Sequence, residues 1–368
     1  MKNDSGRTPR GLSRRSFIKT APAVAATAAM APRAALAGEA AKKTKRQPLN
    51  CYNYTSISGV QNLSIWSEWI KEDIHLFVLA DTHLFETDAR NLPYSEFSAR
   101  MSKAYNSVPH HESHQATTPA VSLKESLEIA GEKRPDAVVH LGDLVSFPSE
   151  YSIEYAARLF RQCGLPCYYI SGNHDWCYEG FEADAQKHRA TFMPRLKPLY
   201  PEGVDPLQYS IVIKGLKLIF IDDSTGDVTD GQIEFFRKEV AEDIPSILMM
   251  HIGLFLPGHE SFYLGFPDYI PTLGADGAVQ MISAADGSHA ANIERFHAEV
   301  QRANAHNKLL AVVAGHNHVV KAEEIGPLRQ FVVPLNADGS YTDLHIHPAT
   351  TAPRAKYGTP PKSALGWF

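Results

Sequence analysis

The chain lacks several features that classify proteins at a glance. It has no internal repeat and no heptad pattern, which excludes solenoids, propellers and long coiled coils. It has only four cysteines, Cys51, Cys163, Cys167 and Cys177, and no C-x-x-C pair, which excludes a zinc site of that type. Its N-terminal apolar stretch, Thr20 to Ala31, is broken by Pro22 and closed by Pro32 and Arg33. It falls short of the ~18–20 residues a membrane span requires. There is no basic excess either: 36 Lys/Arg stand against 41 Asp/Glu, a formal net charge of −5. What remains is ordinary globular composition, 44% hydrophobic and 21% charged over 368 residues. That length fits two domains or one large α/β domain.

The first 37 residues are of a different kind. Ser13-Arg14-Arg15-Ser16-Phe17-Ile18-Lys19 resembles a twin-arginine export signal at every fixed position of that motif. The Ala-rich stretch follows, and Ala35-Leu36-Ala37 supplies the small residues a signal peptidase reads, so cleavage is expected before Gly38. Gly38 also stands where a lipidated cysteine would be, so no stable membrane anchor is expected. The resemblance implies the twin-arginine translocase and signal peptidase as partners and a periplasmic or secreted location. Residues 1–37 hold seven Lys/Arg and one acidic residue, so the mature chain has a net charge of −11. That balance disfavours nucleic acid as a partner. Export places cysteines where oxidation is permitted, and four allow three pairings. Cys163 and Cys167 straddle a helix-to-strand turn, so either a local bridge or two small buried side chains fits.

Residues 38–48 read as a solvated linker, 49–348 as one domain and 349–368 as a Pro-rich tail. Apolar runs bounded by polar turns recur: Ile74 to Ala80, Ala137 to Leu141, Cys167 to Ile170, Ile247 to Met250 and Leu309 to Ala314. Helical periodicity marks Ser122 to Gly131, Ser149 to about Cys163, a Thr229-capped segment through Val240, and Asn292 to Ala305. Gln208 to Ile213 and Leu216 to Ile221 flank Lys214-Gly215 as a hairpin. The alternation of strand and helix predicts a largely parallel sheet. Alternating segments up to His347 predict a further set of antiparallel strands. Two segments, 84–116 and 252–289, show no period and read as insertions, the second rich in Gly, Pro and aromatics and suited to binding.

Each apolar run ends in metal-type ligands: Asp81-Thr82-His83, Gly142-Asp143, Gly172-Asn173-His174-Asp175, His251 and Gly315-His316-Asn317-His318. Any one of these is weak evidence. All five, in this order and at strand ends, resemble the calcineurin-like metallophosphoesterase superfamily, closest in pattern to its cyclic-nucleotide and glycerophosphodiester phosphodiesterases. The resemblance implies a four-layer α/β/β/α sandwich of two mixed sheets with the site at one edge. It implies two divalent metal ions, Mn, Fe or Zn, and hydrolysis of a small phosphodiester or phosphomonoester through a metal-bound hydroxide. Asp81, His83 and His318 would bind the first metal; Asn173, His251 and His316 would bind the second; Asp143 would bridge. His174 would face the substrate and act as the acid. Asp175, by adjacency alone, is expected to orient its imidazole. Carboxylate, amide oxygen and imidazole together suit such ions, and paired ions neutralise phosphate charge and activate water.

Departures from the pattern narrow the group. The purple acid phosphatases carry a Tyr ligand three residues after the bridging Asp, where this chain has Ser146. The Ser/Thr protein phosphatases continue Gly-Asp with Val-Asp-Arg-Gly, where this chain has Leu144-Val145-Ser146-Phe147, so that Arg clamp is absent. Two rival readings are a nucleotidase or nuclease on the same centre and a non-catalytic metal-binding periplasmic protein. Twin-arginine export of a folded chain lets the cytoplasm load the metals, which favours Mn or Fe. Among other polar residues, His110, His111, Glu112 and His114 read as a solvated loop or a further metal site. His259 and His289 could line the pocket. Asp222 and Asp223 read as strand-end caps, His140 as core, and Tyr94 and Phe97 as a lid or simple packing. His345 and His347 alternate on a late strand without an assigned role.

Overall fold

In the computed structural model the described residues are 50–254, 271–273, 279–281, 288–305, 309–325 and 328–351. The expected signal segment 1–37, the linker 38–48, most of the 252–289 insertion (with Phe255, His259, Phe262, Tyr263, Phe266 and Tyr269, and the side chain of His289) and the tail beyond 351 lie outside them.

An antiparallel hairpin, β1 (Asn50–Ile57) and β2 (Val60–Ser67), comes first, its turn made by Ser58 and Gly59, both with positive φ. Then β3 (Ile74–Leu79) runs towards Asp81. The lack of period over 84–116 predicts an irregular insertion, but the segment is ordered. It holds a 3-10 turn (Ala89–Tyr94), helix α1 (Ser95–Met101) and a ribbon of β4 (Val108–Pro109) and β5 (Ala116–Thr117). Helix α2 (Pro119–Lys133) opens with Pro at its first position, where no amide partner is needed. β6 (Ala137–His140), α3 (Glu150–Gln162) and β7 (Cys167–Tyr169) continue the strand–helix rhythm. Ser149 caps α3 by accepting from the Ser152 amide. After α4 (Ala185–Phe192) come the hairpin β8 (Gln208–Ile213) and β9 (Leu216–Ile221), at the limits its sequence implies. In α5 (Asp230–Ala241), Thr229 and Gln232 form a reciprocal capping box. β10 (Ser246–Met249), a ribbon of β11 (Pro271–Leu273) and β12 (Val279–Met281), α6 (Ser288–Ala305), β13 (Leu309–Ala314), β14 (Lys321–Ile325), β15 (Leu328–Val332) and β16 (Tyr341–Pro348) complete the order.

Two six-stranded mixed sheets result. One runs β1-β2-β16-β3-β6-β7 and the other β14-β15-β13-β10-β9-β8. Alternation sets their packing. Leu76, Val78, Val139, Leu344 and Ile346 of the first sheet meet Leu218, Phe220, Ile247, Met249 and Val313 of the second in a shared core. The opposite faces are covered by helices. Phe77, Leu79 and Val138 lie under Leu123, Leu127, Ile153 and Phe160 of α2 and α3. Ile219, Leu248 and Val312 lie under Ile233, Phe236, Phe296 and Val300 of α5 and α6. The expected α/β/β/α sandwich is therefore present.

The expectation for the late strands needs correction. Only β14 and β15 pair antiparallel as expected; β16 crosses to the first sheet, parallel to β2 and antiparallel to β3. The first insertion packs on an aromatic cluster. Tyr94 stacks on Tyr178 at 4.7 Å between centroids and Phe97 meets Phe181 edge-on at 5.4 Å, so these two rings are packing. His110 Nδ1 accepts from the Glu112 and Ser113 amides, and its Nε2 lies 3.4 Å from Glu125. His111 contacts the Ser58 carbonyl. Those histidines tie the insertion to the N-terminal hairpin and α2.

Candidate metal centre

The carboxyl ends of β3, β6, β7, β10 and β13 lie side by side, and the loops leaving them are tied by main-chain bonds. The Asp81 amide donates to Gly142 O (2.9 Å), the His83 amide to Asp143 O (2.9 Å) and the Gly315 amide to His251 O (2.9 Å). Gly142 is required by this closeness. Its φ is +87°, and a Cβ there would fall 2.6 Å from the Gly172 nitrogen and 2.7 Å from His251 Nδ1.

Five of the seven expected ligands have left-handed backbone: Asp81 (φ 58°), His83 (58°), Asp143 (50°), His316 (70°) and His318 (56°). Asp and His tolerate this region better than most residues, yet each still costs on the order of 1 kcal/mol. Strain gathered in one place is typical of functional sites. Here it turns each side chain back across the strand ends.

Two donor groups form. Asp81, His83 and His318 make one; Asp143, His251 and His316 make the other, with all donor atoms in each group within 4.8 Å of one another. Nε2 of His83 faces Nε2 of His318 at 3.1 Å, and His318 Nε2 lies 3.4 Å from Asp81 Oδ1. Nε2 of His251 lies 3.2 Å from Asp143 Oδ2, 3.1 Å from Asn173 Oδ1 and 3.3 Å from His316 Nδ1. Asp143 Oδ2 is also 4.0 Å from His83 Nε2, so a single carboxylate oxygen stands between the groups.

The tautomer of His251 is set from behind. Its Nδ1–H donates to Leu141 O at 2.7 Å, leaving Nε2 for the centre. Asp223 holds the main chain there, accepting from the amides of His251 and Ile252 at 3.2 Å. The strand-end reading of Asp223 is thus incomplete, since the residue it braces is a candidate ligand. Behind Asp81 and His83, His140 Nε2–H donates to Thr82 Oγ1 (2.8 Å), which donates to Asn336 Oδ1 (2.8 Å). Burial lowers His140 to about 3, consistent with a neutral core imidazole.

Charge follows the same layout. Burial lowers His83 and His316 well below the usual histidine range. Burial also opposes charge on His251, but Asp143, Asp81 and Asp223 outweigh it and raise it to about 10. Burial pushes against ionisation of Asp143, yet His251, His174 and His83 hold it well below the carboxylate range. The carboxylates thus favour positive charge among nitrogen lone pairs that converge at 3.1–3.3 Å. A single proton on His251 can serve only part of that set, whereas oxygen and imidazole donors at these spacings fit divalent cations.

His174 is half-buried and borders the centre, its ring edge-on to His83 at 5.1 Å. Its amide donates to Asp143 Oδ1 (2.8 Å), and its Nδ1 lies 3.3 Å from Ser146 O. Asp175 does not orient that ring. Its two oxygens accept from the Val145 amide (2.9 Å) and the Gly172 amide (2.7 Å), so it locks the β6 and β7 loops together. Adjacency in sequence misled here because consecutive side chains of a tight turn diverge. Burial, with the Asp143 charge nearby, raises Asp175 to about 7.

Tyr105, unassigned in sequence, comes from the first insertion. Its ring stacks on His83 (4.1 Å, 15°), and its hydroxyl lies 3.5 Å from His318 Nδ1. Burial and the charges of Asp143 and Asp81 raise its pKa. Only its aromatic character within an aperiodic segment could have drawn attention to it. Cys163 and Cys167 lie with sulfurs 3.5 Å apart as free thiols.

The sequence matches the family described as calcineurin-like phosphoesterase over residues 74–320. It is 28% identical over 198 residues to the glycerophosphodiester phosphodiesterase GpdQ of Enterobacter lignolyticus (strain SCF1), an alignment covering 50% of this chain and 57% of that protein. The chain therefore spans a little over half the length of that relative. Among solved structures, a dimetal phosphatase from Danio rerio aligns with a TM-score of 0.44 at 10% identity, covering 73% of this chain and 89% of that one. A purple acid phosphatase from yellow lupin (Lupinus luteus) aligns with a TM-score of 0.43 at 14% identity, covering 81% and 49%.

Proposed function

The chain belongs to the calcineurin-like phosphoesterase family, and on that premise we propose that it is an exported, two-metal phosphoric ester hydrolase acting on a small phosphodiester. The observation that carries this reading is Asp143 Oδ2, placed between two imidazole-rich donor groups. Asp81, His83, His318 and Asp143 would hold one divalent ion, and Asp143, Asn173, His251 and His316 the other. Such a pair supplies charge neutralisation at the phosphate and an acidified water.

The protein's own groups do the rest. Ser146 O accepts the Nδ1 hydrogen of His174, which leaves Nε2 to deliver a proton to the departing oxygen. Asp175 keeps the two loops at their separation. Tyr105 lays an aromatic face on His83 of the first donor group, and Asn173, His174, His316 and His318 are half-buried at the rim.

A diester is favoured on charge. Among the described residues, the largest charge influences on Asp143, His83, His251 and His316 come from histidines and aspartates. Residues 252–291 contain no lysine or arginine at all. A monoester dianion or a polyanionic strand would gain more from such a cation than a singly charged diester does. The similarity to a glycerophosphodiester phosphodiesterase points the same way.

The N-terminal twin-arginine pattern supports export to the periplasm or beyond, with Mn or Fe loaded beforehand. The test is a panel of mono- and diesters with Mn, Fe, Zn and Co each supplied to metal-free protein. Faster turnover of small diesters is expected, and no turnover with any metal would overturn the reading. Metal analysis of protein recovered from the periplasm tests the loading, and stoichiometric zinc in both positions would contradict it.

A further inference from the structure

A second cluster of ligand-type side chains lies at the opposite end of β3. His75 and His345 are directly paired across the antiparallel β3–β16 ladder. Alternation sends their side chains to the outer face, because their neighbours Leu76, Leu344 and Ile346 enter the core between the sheets. Asp343, two residues before His345, projects from that same face. His75 lies six residues before Asp81 along an extended strand, roughly 20 Å away, so neither donor group of the metal centre shares these atoms.

The donors converge. His75 Nε2 is 3.0 Å from Asp343 Oδ1, and the His75 and His345 rings stack at 4.2 Å. One donor atom from each of His75, Asp343 and His345 falls within 4.8 Å of the others. The carboxylate is held in place: its side chain is only 5% exposed, and Lys133 Nζ takes its other oxygen, Oδ2, at 2.8 Å. A ligating carboxylate fixed through its second oxygen is the usual outer-shell arrangement. The Lys133 charge opposes a cation here. Against it stands Asp73, whose Oδ1 lies 2.7 Å from His347 Nδ1, while Asp136, which accepts from the His75 amide at 2.9 Å, is balanced by Lys214 at 2.8 Å. His347, stacked 5.9 Å beyond His345, extends the imidazole row.

We propose that His75, Asp343 and His345 form a third, surface cation site for a borderline divalent ion of the zinc class, with its open positions facing solvent. Two imidazoles and one carboxylate suit zinc, copper or nickel and give a poor fit to calcium or magnesium. On binding, the neutral His75 ring moves its hydrogen from Nε2 to Nδ1 by exchange with solvent, so that Nε2 turns a lone pair to the ion. One of the stacked rings turns about its Cβ–Cγ bond to bring both nitrogen lone pairs to the ion, a torsion with a broad, shallow profile.

The test uses full-length protein dialysed against buffered zinc, with bound ions counted per chain by elemental analysis. Wild type should retain one zinc ion more than His345→Gln and one more than His75→Gln. Each variant's thermal melt should stay within a few degrees of wild type, and its phosphoester turnover should be unchanged. Equal ion counts in wild type and both variants would overturn the site. If one variant is unstable, the other carries the comparison. A copper-loaded sample adds an independent reading: nitrogen hyperfine splitting in its paramagnetic resonance that disappears in the variant supports the site, and a spectrum unaffected by both substitutions contradicts it. The experiment counts a difference in ions, so failure of the hydrolase proposal would leave its outcome unchanged.

Discussion

At the scale of single residues, the centre separates groups that hold cations from groups that serve the substrate. Asp143 has one oxygen between the two donor groups and the other on the His174 amide. Asp143→Ala should therefore abolish metal retention and turnover together, read by elemental analysis and initial rates. His174 lies beside the donors without belonging to either group. His174→Ala should keep both metals and lower turnover by about 10²–10⁴, the range for general acid–base groups. Loss of metal in that variant would mean that the ring is a ligand. Asp175→Asn gives a third outcome. It weakens the loop bonds to Val145 and Gly172 without touching the His174 ring, so it should lower thermal stability more than it alters the pH profile of turnover. A displaced acidic or basic limb in that profile would restore the orienting role that the geometry denies.

At the scale of elements, what was legible in the sequence was local. The strand ends carrying Asp81, Asp143, Asn173, His251 and His316 could be read because an apolar run followed by a ligand needs only a few consecutive residues. The β8–β9 hairpin and the Thr229 cap could be read for the same reason. The β1–β2 hairpin could not, because its strands interleave Asn, Thr, Ser and Gln with the apolar residues and expose much of one face. The place of β16 in the first sheet depends on pairing with strands more than 260 residues earlier, which no local pattern encodes. Tyr105 was hidden because its contact with His83 is tertiary, and Asp175 was misread because adjacency in sequence stood in for contact in space. The turns at the strand ends bear their own test. Gly142→Ala places a methyl group against the Gly172 nitrogen and His251 Nδ1 at positive φ, so it should destabilise by at least ~2 kcal/mol in denaturant melts. Gly164→Ala, with φ +70° but open space around it, should cost only about 1 kcal/mol. Equal losses would mean that backbone conformation alone, rather than crowding at the centre, requires glycine.

At the scale of the whole molecule, stability should depend on metal and on pH. Without cations, converging lone pairs and left-handed ligands burden the folded state. Ions that bind only the folded form add stability by mass action, about 2.7 kcal/mol at a hundredfold excess over the dissociation constant. Chelation should lower the melting temperature by several degrees, and an unchanged melt would remove the two-ion assignment. The acid limb has a separate contributor. Burial works against ionisation of Asp343, but hydrogen bonds from His75 and Lys133 hold its pKa below the ordinary 3.8. A carboxylate depressed in the folded state adds stability that is present above its unfolded value and lost as pH falls through the folded one. Asp343→Asn should flatten stability against pH below about 4 while lowering it at neutrality; a slope identical to wild type would show that the pair is too well solvated to matter.

The position of β16 also sets an order of events during synthesis. The hairpin that emerges first has its seat only beside β16, and a lone two-stranded hairpin is marginal in water. At ~5–20 residues per second, the ribosome takes roughly 14–55 s to travel from Ser67 to Tyr341. Throughout that interval the early strands wait unpaired on one side. The same late segment reaches the metal centre, since the amides of Asn336 and Ala337 donate to the carbonyls of Ala80 and Asp81. A nascent chain stalled just before Asn336 would carry all seven candidate ligands and still lack the brace beneath the first of them. Completion of the centre is thereby tied to synthesis of the segment that carries Asn336 and Ala337.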